Sequence, residues 1–281
     1  MRSILKKLIN RAEKQLWARR AYKFYVDTWR DMGSREAVSQ LLNSHYFTRL
    51  IRPLHMDAPV DKKILVIAPH PDDEIIGPGG TLVQATDGGA EVLVVYLTSG
   101  RSKEKETREK ESASVCKQME WKSVYLGNVE EDNVWSVDGL NDVFKDFRPH
   151  IIMLPFVLDD NKHHRHSNRI ILDMAAQGGN ELAFLGKSEI WAYQVYSAVL
   201  PNVVIDITSS RERKTELIGA YKSQMTSRDW SNFSLGFNAW TSRWLDTKGE
   251  PRWAEGFFVV PFNDYMDLIR QYYGDLEQPK L

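Results

Sequence analysis

The chain has 281 residues, 42% hydrophobic and 27% charged, with a formal net charge of −1. This is globular composition, long enough for one large α/β domain or two small ones; it excludes wholesale disorder and gives no global basic surplus for nucleic acid. Cys116 is the single cysteine, which excludes an internal disulfide and a cysteine-built zinc site, so a metal has to be held by histidine and carboxylate.

The charge is unevenly placed, with nine Lys/Arg and two Asp/Glu in residues 1–30. Over residues 3–30, Leu5, Leu8, Ile9, Ala12 and Leu16 share one helical face, while Lys6, Lys7, Arg11 and Lys14 fill the others. This predicts a basic amphipathic helix that packs on the rest of the chain or on another subunit, or lies peripherally on an anionic membrane with Trp17 inserted. Basic residues interrupt any signal-peptide core, and no stretch has the apolar length of a membrane span. The expected location is cytoplasmic, with the inner face of the membrane as the contact surface if residues 3–30 make one. Pro53 and Pro59 punctuate a linker, so residues 1–59 read as a helical basic extension and linker, and residues 60–281 as the main domain.

From residue 62 strands and helices alternate. Ile64–Ala68 is a strand suited to burial on both faces. A helix begins at Gly79 and Gly88-Gly89 ends it. Strands follow at Glu91–Leu97, 122–126, His150–Pro155, Ile190–Tyr196, Val203–Ile207 and Glu255–Val260. Helices are expected at 104–118, 139–147, after Ser167, at Arg211–Ser223 and at Asp264–Tyr273. The alternation predicts an α/β fold, a Rossmann-like three-layer sandwich with a mostly parallel sheet in the order 3-2-1-4-5. Ligands in such sheets bind beyond the carboxyl ends of the strands where the order reverses, between Ile64–Ala68 and His150–Pro155.

Two polar loops sit at those ends. Pro69-His70-Pro71-Asp72-Asp73-Glu74 follows the first strand, and Asp159-Asp160-Asn161-Lys162-His163-His164-Arg165-His166 follows the fourth. A turn whose aspartates cap the next helix is the plain alternative for the first loop, but it leaves the second loop at the same sheet end unexplained. Two histidines and one carboxylate suit a catalytic zinc, with a second carboxylate free as base. His164 is expected to be a non-ligand, because three positions already fill such a site, and Glu74 to support a ligand from behind. Gly77-Pro78-Gly79-Gly80 lacks the Walker lysine and the dinucleotide glycine spacing, so it is not read as a phosphate loop. Trp230, Trp240, Trp244 and Trp253 are expected to pack a loop-rich lobe, although aromatic faces also stack on sugar rings.

The chain resembles the PIG-L/LmbE-like family of metal-dependent N-deacetylases. The resemblance rests on Pro69–Glu74 in its strand context and on His163-x-x-His166. It extends to Thr98-Ser99-Gly100 and Arg108-x-x-Glu111, and more weakly to Tyr221-Lys222-Ser223-Gln224 and Ala254-Glu255-Gly256-Phe257. It implies that His70, Asp73 and His166 bind zinc (or ferrous iron), that Asp72 is the general base, that His163 stabilises the oxyanion or protonates the leaving amine, and that Arg108 faces the substrate. The implied activity is removal of an N-acetyl group from a small or lipid-linked amino sugar. The alternatives are an amidase on a non-sugar acyl amide, or a glycan-binding, membrane-recruited protein with impaired catalysis. Arg165 stands where many family members carry an acid, which bears on the acid strength of His163.

Overall fold

The computed structural model describes residues 35–44, 46, 52–132, 135–226, 228–246 and 248–277. The amphipathic helix expected over residues 3–30 lies outside the described residues.

Ile64–Ala68 falls within β2 (Lys63–Ala68), buried on both faces. Side chains alternate across a strand, so Ile64, Val66 and Ala68 enter one core while Leu65 and Ile67 enter the other. A strand of this kind needs a helical layer on each side. With β1 (Leu54–Met56), β3 (Glu91–Thr98), β4 (Lys122–Asn128), β5 (Ile151–Pro155), β6 (Glu189–Tyr193), β7 (Val203–Asp206) and β8 (Ala254–Pro261), it forms one sheet in the order β1-β7-β8-β6-β5-β2-β3-β4. The run β4-β3-β2-β5-β6 is parallel, with β2 beside β5. β8 is antiparallel to both β6 and β7, so the sheet is mixed. Period-2 patterning carries no information on strand direction, which is why this reversal is not legible in the sequence.

One face is covered by α1 (Arg35–Leu42), α5 (Leu140–Phe147), α6 (Lys162–Gly178) and α10 (Phe262–Glu277). The other is covered by α2 (Asp73–Ile76), α3 (Gly79–Asp87), α4 (Lys105–Gln118) and α7 (Arg211–Gly219), with α8 (Lys222–Met225) and α9 (Trp230–Thr241) following in the chain. Part of the expected linker is built into the fold: α1 buries Ala37, Val38 and Leu41 against α10, and β1 pairs with β7. No described helix is long and apolar enough to cross a membrane.

Helix α6 begins at Lys162 rather than after Ser167. Asn161 is its N-cap, with Oδ1 accepting from the His163 N–H at 2.8 Å. Ser167 lies inside the helix and donates from Oγ to the His164 carbonyl at 2.7 Å. The histidine cluster therefore occupies the first turns of a helix.

Candidate metal centre

The segment leaving β2 is folded on its own carboxylates. Asp73 Oδ2 accepts from the His70 N–H at 2.9 Å, and Glu74 Oε2 accepts from the Asp72 N–H at 3.0 Å. Thr98 on β3 donates from both its N–H and Oγ1 to the Pro69 carbonyl. Asp72 is left at φ 123°, where L residues rarely sit. Such backbone costs about 1–3 kcal/mol and collects at functional sites.

His70, Asp73 and His164, all buried, bring one potential ligand atom each within 4.8 Å of one another, the one such group among the described residues. The donors suit a divalent metal. His164 Nε2 is buried without a hydrogen-bond partner, although it lies 3.3 Å from Asp73 Oδ2. Its Nδ1 pairs with Asp159 Oδ1 at 3.1 Å. A histidine held by a carboxylate through one nitrogen keeps the lone pair of the other available to a metal. His70 is arranged similarly: with Nε2–H donated to His163 Nδ1 at 2.9 Å, the Nδ1 lone pair is left beside Asp73 Oδ2, 3.1 Å away. Burial opposes a charge on His164, but Asp73 and Asp159 outweigh it and lift its pKa to about 10. Burial would likewise raise Asp73, yet His164 and His70 hold its carboxyl well below the usual range.

His166 does not join this set. It is exposed, and its ring lies edge-on to Trp135 at 5.3 Å. The third donor is His164, which the sequence reading set aside. The physical reason is the start of α6: in a loop, spacing says little about direction, whereas in the helix capped by Asn161 positions 163 and 166 share a face. Both pack on Trp135, His163 at 4.9 Å, and His164 points elsewhere, into the sheet end.

Asp159 is the support that sequence reasoning named only in passing. Fully buried, it binds His164 and Asn161 N–H through Oδ1, and the N–H groups of Tyr196 and Ser197 through Oδ2. Burial pushes its carboxyl up, but His164 and these backbone donors outweigh it and hold it below the ordinary value. Asp159→Asn is expected to weaken metal affinity by roughly 10- to 100-fold, as removal of an outer partner does; a competition titration with a chromogenic chelator measures this.

Asp72 is buried, and burial raises its carboxyl well above the usual range, with Arg108 opposing. Arg108 Nη2 lies 3.2 Å from Asp72 Oδ2 and donates to the Pro71 carbonyl at 2.7 Å. Arg108, expected to face the substrate, is buried against the aspartate. Gly100 makes room for it: a Cβ there would sit 2.7 Å from Arg108 Cδ, and φ is +79°. Glu74 lies beneath, its Oε1 accepting from the Tyr221 hydroxyl; burial raises its pKa to about 7. The Tyr221 and Thr98-Ser99-Gly100 segments therefore brace the loop.

Arg165 is buried and donates from Nη1 to the Asp159 carbonyl at 2.6 Å, while Tyr273 on α10 donates to the Arg165 carbonyl. Burial, His70 and Lys162 lower the His163 pKa to about 3. Glu130, in the loop after β4, is an unforeseen neighbour. Its Oε1 lies 3.9 Å from His70 Nε2 and 3.8 Å from Arg108 Nη1. Only its proximity in the fold marks it, since nothing near it in the chain forms a motif. The N–H groups of Gly80 and Thr81 are taken by Glu255, which leaves no phosphate cradle at the glycine run.

Residues 65–175 match the family model described as PIG-L, GlcNAc-PI de-N-acetylase. The chain is 26% identical over 224 residues to the diacetylchitobiose deacetylase of Thermococcus kodakarensis, covering 71% of this chain and 84% of that protein. The structure of N,N'-diacetylchitobiose deacetylase from Pyrococcus horikoshii is similar with a TM-score of 0.59 and 24% identity, over 82% of this chain and 94% of that one. GalB of Pseudomonas putida, a 4-carboxy-2-hydroxymuconate hydratase, is similar with a TM-score of 0.58 and 18% identity, over 71% of this chain and 96% of that one. The architecture alone therefore does not fix the reaction. The matched residues 65–175 hold every member of the His70–Asp73–His164 group and its supporting carboxylates.

Proposed function

We propose that the protein is a metal-dependent N-deacetylase acting on an N-acylated amino sugar or glycoconjugate, with acetate and a free amine as products. One observation carries the reading: three converging donors, His70, Asp73 and His164, stand beside a separate buried carboxylate, Asp72, that Arg108 holds in place. The PIG-L match and the diacetylchitobiose deacetylase relative support an amino-sugar substrate over other acyl amides.

Bound to the three donors, a divalent cation such as zinc or ferrous iron would acidify a water and polarise an amide carbonyl. Asp72 accepts the proton as the water attacks, then returns it to the leaving nitrogen, which cannot depart as an anion. Arg108 fixes the carboxylate through the 3.2 Å ion pair, and Glu74 fixes the backbone through the Asp72 N–H. His163 is held by His70 through Nδ1, so its other ring nitrogen is free to donate to the oxygen that gains charge. In this role His163 is an oxyanion donor, and Asp72 carries the proton traffic alone.

Asp72→Asn tests the assignment. In the metal-loaded enzyme it is expected to lower kcat for acetate release by about 10²- to 10⁴-fold, the scale of a lost general base, with metal content unchanged. Equal turnover by the variant would remove Asp72 from the mechanism.

A further inference from the structure

Helix α9 carries four aromatic residues that the reaction does not use: Trp230, Phe233, Phe237 and Trp240. Helical geometry places them within an arc of about 80° that rises about 15 Å along the axis. The arrangement inverts an ordinary amphipathic helix. The buried face is polar: Ser234, Asn238 and Thr241 point inward, with Ser234 Oγ on the Ile76 carbonyl at 2.8 Å and Asn238 Nδ2 on the Ala254 carbonyl at 3.2 Å. The aromatic arc is open at two of its four residues, Phe233 52% and Trp240 64% exposed, while Trp230 and Phe237 are half-buried.

The arc begins at the metal centre. Tyr196 stacks on His164 with centroids 5.1 Å apart and planes at 18°. Trp230 meets Tyr196 edge-on at 5.4 Å, and Phe233 follows at 6.1 Å. Phe237 lines a small cleft with Gly77, Gln194 and Val195, beside the loop that carries Asp72 and Asp73.

Charge selects the occupant. Residues 228–250 carry three basic and three acidic residues, and Arg228 and Arg243 lie over Trp230 and Trp240. An anionic bilayer is attracted by a surplus of basic charge, which this segment does not have. An aromatic ring beside a neutral hydrogen-bonding group, as Phe237 is beside Gln194, suits the C–H faces and hydroxyl edges of uncharged sugars.

We propose that this arc is a saccharide platform. The reacting N-acylated sugar sits at the metal centre, and the sugars linked to it run out over Trp230, Phe233 and Trp240. The substrate class is therefore a linked oligosaccharide in preference to a monosaccharide, an inference that rests on the amino-sugar reading above.

The test compares N-acetylglucosamine with its β-linked tetramer on the metal-loaded full chain. Wild-type kcat/KM is expected to be at least about tenfold higher for the tetramer, and Trp240→Ala and Phe233→Ala each to shrink that ratio severalfold, mainly through KM, on the scale of one ring contact. A calorimetric titration of the Asp72→Asn protein with the tetramer gives a second readout that needs no turnover. Weaker tetramer binding in the Asp72→Asn/Trp240→Ala protein supports the platform. Equal rates for the two sugars, or tetramer binding insensitive to Trp240, overturns it, as does binding to phosphatidylglycerol vesicles that Trp240→Ala abolishes. If neither sugar releases acetate, the deacetylase reading loses its free and oligomeric substrates, and the titration still decides the platform.

Discussion

Replacing His164 by alanine is expected to empty the metal centre and abolish turnover, whereas His166→Ala should leave metal affinity near that of the wild type. His164 brings Nε2 to within 3.3 Å of Asp73 Oδ2 and is oriented by Asp159 through Nδ1. Removing it deletes one of three donors and leaves Asp73 and Asp159 facing each other without the group that pairs them. The loss of affinity should exceed the roughly 10- to 100-fold expected for an outer partner such as Asp159. His166 touches Trp135 at the surface and no member of the donor set. Metal content after dialysis, measured by mass spectrometry for the two variants side by side, gives the comparison. A metal-free His166→Ala protein beside a metal-replete His164→Ala protein would reverse the assignment.

Lys214→Met is expected to destabilise the fold by about 3–5 kcal/mol, the cost of breaking a buried ion pair from one side. Lys214 is fully buried on α7, where burial disfavours its charge and Glu255 opposes that effect. Its Nζ donates to Glu255 Oε1 at 2.7 Å, to the Ile76 and Gly77 carbonyls at 2.9 and 3.1 Å, and to Asn238 Oδ1 at 3.0 Å. Glu255 in turn accepts from the Gly80 and Thr81 N–H groups, both at 2.8 Å. The pair thus bridges the end of α2 and the start of α3, where Gly77-Pro78 breaks the chain. A methionine fills the volume but leaves the Glu255 charge buried and the Gly77 carbonyl without its donor, while the Ile76 carbonyl keeps only Ser234 Oγ. Adding Glu255→Gln should recover part of the loss, since the stranded charge is gone. Urea unfolding of the single and double variants measures both effects, and a Lys214→Met midpoint equal to wild type would show that the pair contributes nothing.

The sequence was most informative where structure is local. Ile64–Ala68 declares a doubly buried strand by composition, and Pro69–Glu74 follows it directly, so strand and loop could be read together. The convergence of that loop with residues 159–166 follows from α/β connectivity, since β2 and β5 are neighbours. The choice between His164 and His166 was not legible in the same way. It depends on where α6 starts, and both Asn161 and Ser167 are residues suited to cap it. Once Asn161 is the cap, the helical register assigns the direction of every histidine. Contacts between distant segments were invisible for a different reason. Tyr221 meets Glu74 across 147 positions, and Glu130 reaches His70 from a separate loop. The burial of Arg108 behind Asp72 likewise depends on the space above Gly100, which a motif cannot express.

Acetate release by the metal-loaded full chain from N-acetylated amino sugars, in free, oligomeric and lipid-linked form, decides whether the protein is an N-deacetylase. One acetate and one free amine per turnover are expected from at least one of these substrates, with activity lost on chelation and restored by added zinc or ferrous iron. Metal-replete protein that releases no acetate from any of them would contradict that assignment.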